Sequence, residues 1–172
     1  MATLTKQRQT EIDEHINRIR LQTGMSYPDN SLLDIARAMG VQVFEIDLSE
    51  QPDVSGVIQY KNDEGTPKPV LFINRDHPTE RKAFTLAHEL GHFVLHPHAD
   101  KFRVDRFDYS QPTAESIEET EANYFAASLL VPKDRLEQIQ KVSKGDIAFT
   151  AKYFGVSKPV IENRLSWLKS NQ

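Results

Sequence analysis

The sequence contains no cysteine among its 172 residues. Disulfide bridges and thiolate metal sites are therefore excluded, and the composition fits a reducing compartment. No apolar run approaches the roughly 20 residues of a membrane-spanning helix, since the longest candidate covers only residues 124–131. Residues 1–20 lack the apolar core of a secretory signal. We therefore expect a cytoplasmic protein without a membrane partner.

An excess of positive charge is also missing. The formal net charge is −4 and the sequence pI is about 5.9, which argues against direct binding to nucleic acid. Charged residues make up 27% of the chain and hydrophobic residues 38%, as in ordinary globular proteins. The length suits one domain with its own core.

What the sequence does contain is an H-E-x-x-H motif at residues 88–92. Residues four apart on a helix project from nearly the same side, so His88 and His92 can present two imidazole nitrogens to one point. Such a pair suits zinc, which binds nitrogen ligands in a tetrahedral shell. Glu89 is then placed to contact a water molecule on the metal as a general base. The motif predicts a zinc hydrolase.

The residues around the motif predict a helix. Pro78 stands where a helix would begin, with Asp76 or His77 as candidate caps, and Pro97 would end it. The alternative is a surface helix with two solvated histidines. An amphipathic helix with one apolar side is favoured over this alternative because apolar residues recur at spacings of three and four. These residues are Phe84, Ala87, Gly91, Val94 and Leu95.

Catalytic zinc needs a third protein ligand, and two later histidines are candidates. His98 occupies the position of the third histidine ligand in the longer motif H-E-x-x-H-x-x-G-x-x-H. However, that motif has a glycine at the position of Leu95, and Pro97 intervenes. His96 lies four residues after His92, but three successive helical turns do not converge on one tetrahedral centre. His96 is better interpreted as a residue that packs against or supports the ligands.

Acidic residues on a later helix are the other source of a third ligand. Successive residues of a helix are rotated by about 100° around its axis. On the helix predicted after residue 113, Glu118 and Glu119 therefore point toward the core side and Glu121 points toward the edge of that side. A carboxylate turned inward is costly unless it is paired or bound to a metal. Glu119 could instead pair with Ser116 in a capping box. Periodicity does not decide between Glu118 and Glu119.

The remaining patterns indicate an α+β fold, a small and mostly antiparallel sheet of three or more strands packed with the motif helix. An edge strand of this sheet could pair with an extended peptide. Residues 61–69 are expected to form a turn or a longer exposed loop, and residues 100–112 an irregular segment. The predicted early helices cover residues 3–22, with Leu21 as a further candidate for the buried side, and residues 31–40, where Ser31 is the predicted cap in a Ser-x-x-Asp box. The predicted strands cover residues 41–46, 54–60 and 70–73.

Helical patterns continue from residue 113 to the C-terminus. An apolar stripe is followed by residues 133–141 and then by a pair of short helices at residues 146–154 and 159–169. The last two resemble a helix-turn-helix, and residues 133–172 hold eight Lys or Arg against four Asp or Glu. We expect residues 1–132 to form the metal domain and residues 133–172 a C-terminal extension packed on it. The stripe consists of Ala122, Phe125, Ala126, Leu129 and Leu130.

The motif helix and the later helix together resemble a known family. Residues 81–96, RKAFTLAHELGHFVLH, and residues 119–127, ETEANYFAA, are similar to the paired motifs of the ImmA/IrrE metallo-endopeptidases. The preceding strand, residues 71–74, and Leu129-Leu130-Val131-Pro132 are similar as well. The resemblance covers roughly residues 31–132 and implies a zincin-like fold.

The resemblance also implies roles for individual residues. The ligands of one zinc ion would be His88, His92 and Glu119, with Glu89 as the general base and Asn123 as a hydrogen-bond partner behind a ligand. Members of the family act on helix-turn-helix transcriptional repressors, so such a repressor is the expected substrate or partner. The oxyanion could be stabilised by one of four residues, Tyr109, Tyr124, His96 or Arg103.

A second class of function remains beside the peptidase. The metal could act only as a structural staple, in a regulatory protein that binds a repressor or DNA. Occupation of the fourth position of the metal by a protein side chain would favour this class.

Overall fold

The computed structural model describes residues 4–97, 102–106 and 117–170, and it confirms the expected α+β architecture. The strands are β1 (Gln42–Ile46), β2 (Val54–Asp63), β3 (Thr66–Asn74) and β4 (Phe102–Arg106). The helices are α1 (Lys6–Thr23), α2 (Leu32–Ala38), α3 (Thr79–Leu95), α4 (Ile117–Leu130), α5 (Lys133–Val142), α6 (Ile147–Phe154) and α7 (Lys158–Lys169). None of these helices is both long and apolar enough to cross a lipid bilayer.

The four strands form one sheet in the order β1-β3-β2-β4. β1 pairs with β3 in parallel, whereas β2 pairs antiparallel with β3 and with β4. The prediction of a mostly antiparallel sheet of three or more strands is therefore confirmed. β1 and β4 are the edge strands, and β2 and β3 lie between them.

The connection between β2 and β3 is shorter than the expected loop over residues 61–69. Antiparallel pairing continues as far as Asp63 opposite Thr66, so only Glu64 and Gly65 form the turn. Both residues have positive φ angles, 50° and 87°, as a tight two-residue hairpin turn requires. The two prolines of the predicted loop lie within β3, ahead of the part that pairs with β1, where a strand tolerates proline.

The expectation of an irregular segment over residues 100–112 is wrong for residues 102–106. These residues form β4, which pairs with β2 from Gln59 opposite Phe102 to Val54 opposite Arg106, with one shift in register. The partner strand is distant in the sequence, so a local pattern carries no signal of this pairing. The other residues of the segment lie outside the described part of the chain.

The first two helices follow the predicted signals. The side chain of Thr5 accepts a hydrogen bond from the backbone of Arg8 at the start of α1, and Gly24 ends α1 with a φ of 68°. Leu21, a further candidate for the buried side of this helix, is 84% exposed, so that prediction is wrong. Ser31 caps α2, as expected from its capping box. The buried side of α1 consists of Ile12, Ile16 and Ile19.

The expected side-chain cap of α3 is absent. Pro78 is the N-cap residue, and it makes no side-chain cap hydrogen bond, so the prediction of a cap by Asp76 or His77 is wrong. The preceding turn is organised by the buried Asn74 instead. Its Oδ1 accepts from the backbone N–H of Asp76 at 3.1 Å, and its Nδ2 donates to the carbonyl of Val54 at 3.1 Å.

Helix α3 lies between the sheet and the other helices. It contacts β2 and β3 on one side and α4 on the other, and α4 also contacts α1 and α7. Ten of the 14 residues of α4 are buried. Helix α4 is therefore the centre of the helical layer, with little of its surface left for solvent.

The C-terminal helices are anchored to the preceding part of the chain. The hydroxyl of Tyr27 donates a hydrogen bond to the carbonyl of Phe154, and Nε of Arg164 donates to the carbonyl of Val131 at 3.1 Å. Helix α7 packs on α4, where Trp167 and Tyr124 meet with ring centroids 5.2 Å apart. Hydrogen bonds and packing thus cross the predicted boundary after residue 132, and that boundary stays a prediction.

Candidate metal centre

Two residues of α3 and one of α4 present their donor atoms to a single point. Nε2 of His88 lies 3.1 Å from Nε2 of His92. The two carboxylate oxygens of Glu119 lie 3.3 Å from the His88 nitrogen and 3.4 Å from the His92 nitrogen. Donor atoms on a tetrahedral zinc ion, with bonds of about 2.0–2.1 Å, are about 3.3–3.4 Å apart. Each histidine nitrogen therefore has a different Glu119 oxygen at the spacing expected around one tetrahedral ion, and one donor atom from each residue lies within 4.8 Å of the other two.

The donor set and its burial also fit a metal. His88 and His92 are buried, and the side chain of Glu119 is 33% exposed. Two imidazole nitrogens and one carboxylate oxygen form a common ligand set of catalytic zinc, which leaves one position open for water or substrate. The cluster of these three residues can therefore hold a divalent ion and keep one side of it accessible.

A glycine allows the two ligand-bearing helices to come close. A Cβ atom on Gly91 would lie 3.1 Å from Cδ1 of Phe125 and 3.2 Å from Cα of Ala122. These contacts are tighter than ordinary Cβ contacts, so Phe125 or the backbone of Ala122 would have to give way to a side chain at this position. Gly91 in the middle of the H-E-x-x-H motif thus lets α4 approach α3 until Glu119 reaches both histidines.

Glu89 lies between α3 and the sheet. It is fully buried. A Cβ atom on Gly56 of β2 would lie 2.9 Å from Cγ2 of Thr85 and 3.9 Å from Cγ of Glu89. The close passage of β2 over this face of α3 therefore shields the carboxylate of Glu89 from bulk water. In the sequence, Glu89 directly follows His88, the first histidine of the cluster.

Asn123 fixes the orientation of the His88 ring. Nδ1 of His88 lies 2.9 Å from Oδ1 of Asn123. Because this amide oxygen can only accept, the Nδ1–H of His88 is the donor. The Nε2 atom of His88 is then unprotonated and available to a metal, which is the tautomer that an outer hydrogen-bond partner typically selects.

His92 is oriented by a longer chain of contacts. Nδ1 of His92 lies 3.1 Å from Nδ1 of His96, and Nε2 of His96 lies 2.9 Å from Oε2 of Glu121. The carboxylate accepts the Nε2–H of His96, so Nδ1 of His96 accepts the Nδ1–H of His92. Nε2 of His92 is thereby left free of a proton and faces the cluster.

Arg8 of α1 completes this chain. Its guanidinium donates to both carboxylate oxygens of Glu121, at 2.7 Å and 2.8 Å. These hydrogen bonds hold the pKa of the Glu121 carboxyl below its ordinary value of 4.5, although burial acts in the opposite direction; the contact with His96 lowers the pKa further. Glu121 is therefore a carboxylate at neutral pH and can serve as the acceptor for His96.

The two other acids considered as ligands lie elsewhere. Glu118 is exposed and does not belong to the cluster, so its expected direction toward the core is wrong. The apolar stripe predicts that Glu121 points toward its edge, yet Glu121 is 6% exposed and its carboxylate contacts Arg8 and His96. A single apolar stripe predicts a helix whose opposite side faces solvent, whereas α4 is enclosed by α1, α3 and α7.

Other expected residues are only partly described. His98, Ser116 and Tyr109 lie outside the described residues, as does the side chain of Arg103. The hydroxyl of Tyr124 donates to Oδ2 of Asp13 at 3.1 Å, a residue that does not belong to the cluster.

Arg8 is a part of the site that sequence patterns do not indicate. Its partner Glu121 is 113 positions away, and a lone arginine on a polar helix has many possible roles. Only the packing of α1 against α4 brings the two residues together.

Comparison with known proteins agrees with the geometry of the cluster. The family described as the IrrE N-terminal-like domain, Peptidase_M78, matches residues 36–166. The chain belongs to this family. It is 28% identical over 145 residues to the metallopeptidase ImmA of Bacillus subtilis (strain 168), a match that covers 82% of this chain and 78% of that protein. The family and the three-residue cluster together support a metal cofactor.

A solved structure shows the same fold. The Mycobacterium tuberculosis transcriptional regulator aligns with 91% of this chain at a TM-score of 0.59 and 20% sequence identity. This chain spans 46% of the length of that protein. At this identity the likeness concerns the fold alone.

Proposed function

We propose that this chain is a zinc-dependent endopeptidase that hydrolyses a peptide bond. The observation that carries the proposal is the cluster of donor atoms from His88, His92 and Glu119, which would hold one zinc ion. The two Nε2 atoms are 3.1 Å apart, Oε2 of Glu119 lies 3.3 Å from the His88 nitrogen, and Oε1 of Glu119 lies 3.4 Å from the His92 nitrogen. The fully buried Glu89 follows the first of these histidines in the sequence. Membership of a peptidase family and the likeness to a metallopeptidase support the same conclusion.

The chemistry divides between the metal and the chain. Bound zinc supplies a Lewis acid toward water and a carbonyl oxygen. Glu89 accepts the proton of the attacking water and returns it to the leaving amine. Because Glu89 is buried, the proton that it holds does not exchange readily with bulk water. Asn123 and His96 keep the two imidazole rings turned so that each Nε2 faces the centre.

We further propose that the substrate is a helix-turn-helix transcriptional repressor in the cytoplasm, so that cleavage changes transcription. The support is the resemblance of the paired motifs to the ImmA/IrrE family and the likeness to the enzyme named ImmA. A fold shared with a protein described as a transcriptional regulator is compatible with this role.

Two observations weigh against a purely structural metal or a DNA-binding module. The 33% exposure of the Glu119 side chain keeps one side of the cluster accessible, whereas a staple would be closed. In the helix-turn-helix-like pair, Ile161 of α7 is fully buried and Trp167 packs on Tyr124. Helix α7 therefore uses its apolar side within the protein.

The test is co-expression with a helix-turn-helix repressor encoded beside this chain, wild type next to Glu89→Gln. We expect a truncated repressor with the wild type and an intact one with the variant, while both proteins retain zinc by elemental analysis. Cleavage by the variant at the wild-type rate would contradict the mechanism. Retardation of DNA that survives replacement of His88 and His92 would support the binding module instead.

A further inference from the structure

A cavity of about 870 Å³ lies beside the candidate metal centre. Its walls come from the first half of α3, the middle of α4, and α6 and α7 with the turn between them. This volume falls within the range of about 300–1,000 Å³ in which proteins hold small ligands and side chains of partners.

The cavity and the metal centre share residues. Asn123 lines the cavity and also accepts the hydrogen bond from His88. Phe84 lines it too, and its ring centroid is 6.3 Å from that of His88. Thr120, the residue after Glu119, belongs to the same wall. A polypeptide bound across the metal centre would therefore reach the cavity with a neighbouring side chain.

The interior walls are apolar. Alanines on α4 and α6 leave room, and larger apolar residues surround that space. An apolar side chain that enters such a space gains free energy in proportion to the surface removed from water. The walls that matter here are formed by Phe84, Ala127, Ala151, Val156, Val160 and Trp167.

The rim of the cavity is basic, in a protein whose net charge is −4. Arg81, Lys152 and Lys158 contribute cations, and Glu80 contributes one carboxylate. The two lysines are exposed, and within the described part of the chain neither has a carboxylate within ion-pair distance. A carboxylate near the apolar group of an occupant would complement this rim.

We propose that this cavity is the substrate-recognition pocket of the peptidase. It receives a bulky apolar side chain close to the scissile bond, and the rim binds an Asp or Glu a few residues away in the same segment. The substrate class is therefore a protein segment that is both apolar and acidic. This proposal rests on the proposed function, because it assigns the occupant of the cavity to the substrate of the metal centre.

Trp167 provides a direct readout, because it lines the cavity and is the single tryptophan of the sequence. The zinc-loaded Glu89→Gln protein, which cannot cleave, is titrated with a synthetic peptide that carries Phe and Leu flanked by Asp residues. We expect a saturable change in the fluorescence of Trp167. Peptides with Ala in place of Phe and Leu, or with Lys in place of Asp, should bind at least about tenfold more weakly.

Substitutions at exposed positions test whether the peptide binds in this cavity. Ala148→Phe fills the cavity from α6, and Lys152→Glu reverses one charge of the rim. Each should weaken binding of the acidic peptide about tenfold or more. The matched control is Lys141→Glu on α5, which reverses an exposed lysine outside the cavity and should leave binding unchanged. Far-UV circular dichroism and the melting temperature establish that all three variants fold.

Two results would overturn the proposal: equal binding of all the peptides, or binding of the acidic peptide that Ala148→Phe and Lys152→Glu leave unchanged. Failure of the proposed function gives a different result. The protein would then lack zinc or would not cleave the repressor, independently of the outcome of the peptide titration. If the repressor is cleaved by wild type and by Ala148→Phe with the same kcat/KM, the pocket is wrong and the peptidase stands.

Discussion

Nε2 of His96 lies 2.9 Å from Oε2 of Glu121, and this contact connects the metal centre to the first helix of the protein. His96 also meets His92 of the donor cluster, while Glu121 is held by Arg8 of α1. The orientation of one proposed ligand therefore depends on a residue near the start of the chain. Removal of a side chain that hydrogen-bonds to a metal ligand typically lowers the metal affinity by about tenfold to a hundredfold.

Glu121→Gln should weaken zinc binding by about tenfold, toward the lower end of that range because the amide can still accept one hydrogen bond. The change removes the negative charge that fixes the proton of His96 on Nε2. The affinity is measured by competition with a chromophoric chelator. The control is Glu118→Gln, which neutralises an exposed acid on the same helix. Equal affinities for the two variants would show that Glu121 does not orient the site.

The same substitution should also destabilise the protein. Arg8 loses a partner that it contacts through two hydrogen bonds, although Glu11 still pairs with it at 2.9 Å. We expect a loss of about 1.5 kcal/mol in the free energy of unfolding, as for a hydrogen bond to a charged group. Urea denaturation of the zinc-free proteins at neutral pH measures the difference, which should be near zero for Glu118→Gln.

Gly91→Ala should push α3 and α4 apart. The added methyl group would lie 3.1–3.2 Å from Phe125 and Ala122, and overpacking of this kind costs about 1–3 kcal/mol. The displacement moves Glu119 away from the two histidines, so zinc affinity should fall together with stability. Denaturation and chelator competition measure the two effects. An unchanged affinity would mean that the close approach of these helices is not needed for the site.

The buried Tyr124 predicts a dependence of stability on alkaline pH. Burial, followed by the charge of Asp13, raises the pKa of Tyr124 above its ordinary value of 10.0. The folded state thus holds this proton more tightly than the unfolded state, and the stability it contributes is present below pH 10 and lost as the pH rises through the folded-state pKa. Tyr124→Phe cannot titrate, so its stability should decline less steeply above pH 10.

The comparison requires urea denaturation of both proteins between neutral and strongly alkaline pH. At neutral pH the variant should be less stable by about 1 kcal/mol, because the hydrogen bond to Asp13 is lost. The gap should narrow above pH 10. A gap that stays constant over the whole range would contradict the burial of this hydroxyl.

Local signals in the sequence were sufficient for the framework of the site. The spacing of His88, Glu89 and His92 and the apolar period around them predicted α3, and Ser31 predicted the start of α2. These features depend on residues within one or two helical turns, which a single sequence displays directly.

Features that depend on distant partners could not be read in this way. The strand at residues 102–106 exists through its pairing with β2. Glu121 is buried where Arg8 of α1, 113 positions away in the sequence, contacts its carboxylate. Helical periodicity left Glu118 and Glu119 equivalent, and only the resemblance to a family favoured Glu119 before the fold placed it beside the histidines.

The central claim is that His88, His92 and Glu119 bind one metal ion, and the stoichiometry of zinc tests it most directly. Equilibrium dialysis with elemental analysis is carried out on wild type, Glu119→Gln and the exposed control Glu118→Gln. We predict one zinc per chain for wild type and for Glu118→Gln, and a loss of affinity of about a hundredfold or more for Glu119→Gln, since a ligand is replaced by a weaker neutral donor. Equal zinc binding by Glu119→Gln and Glu118→Gln would contradict the account.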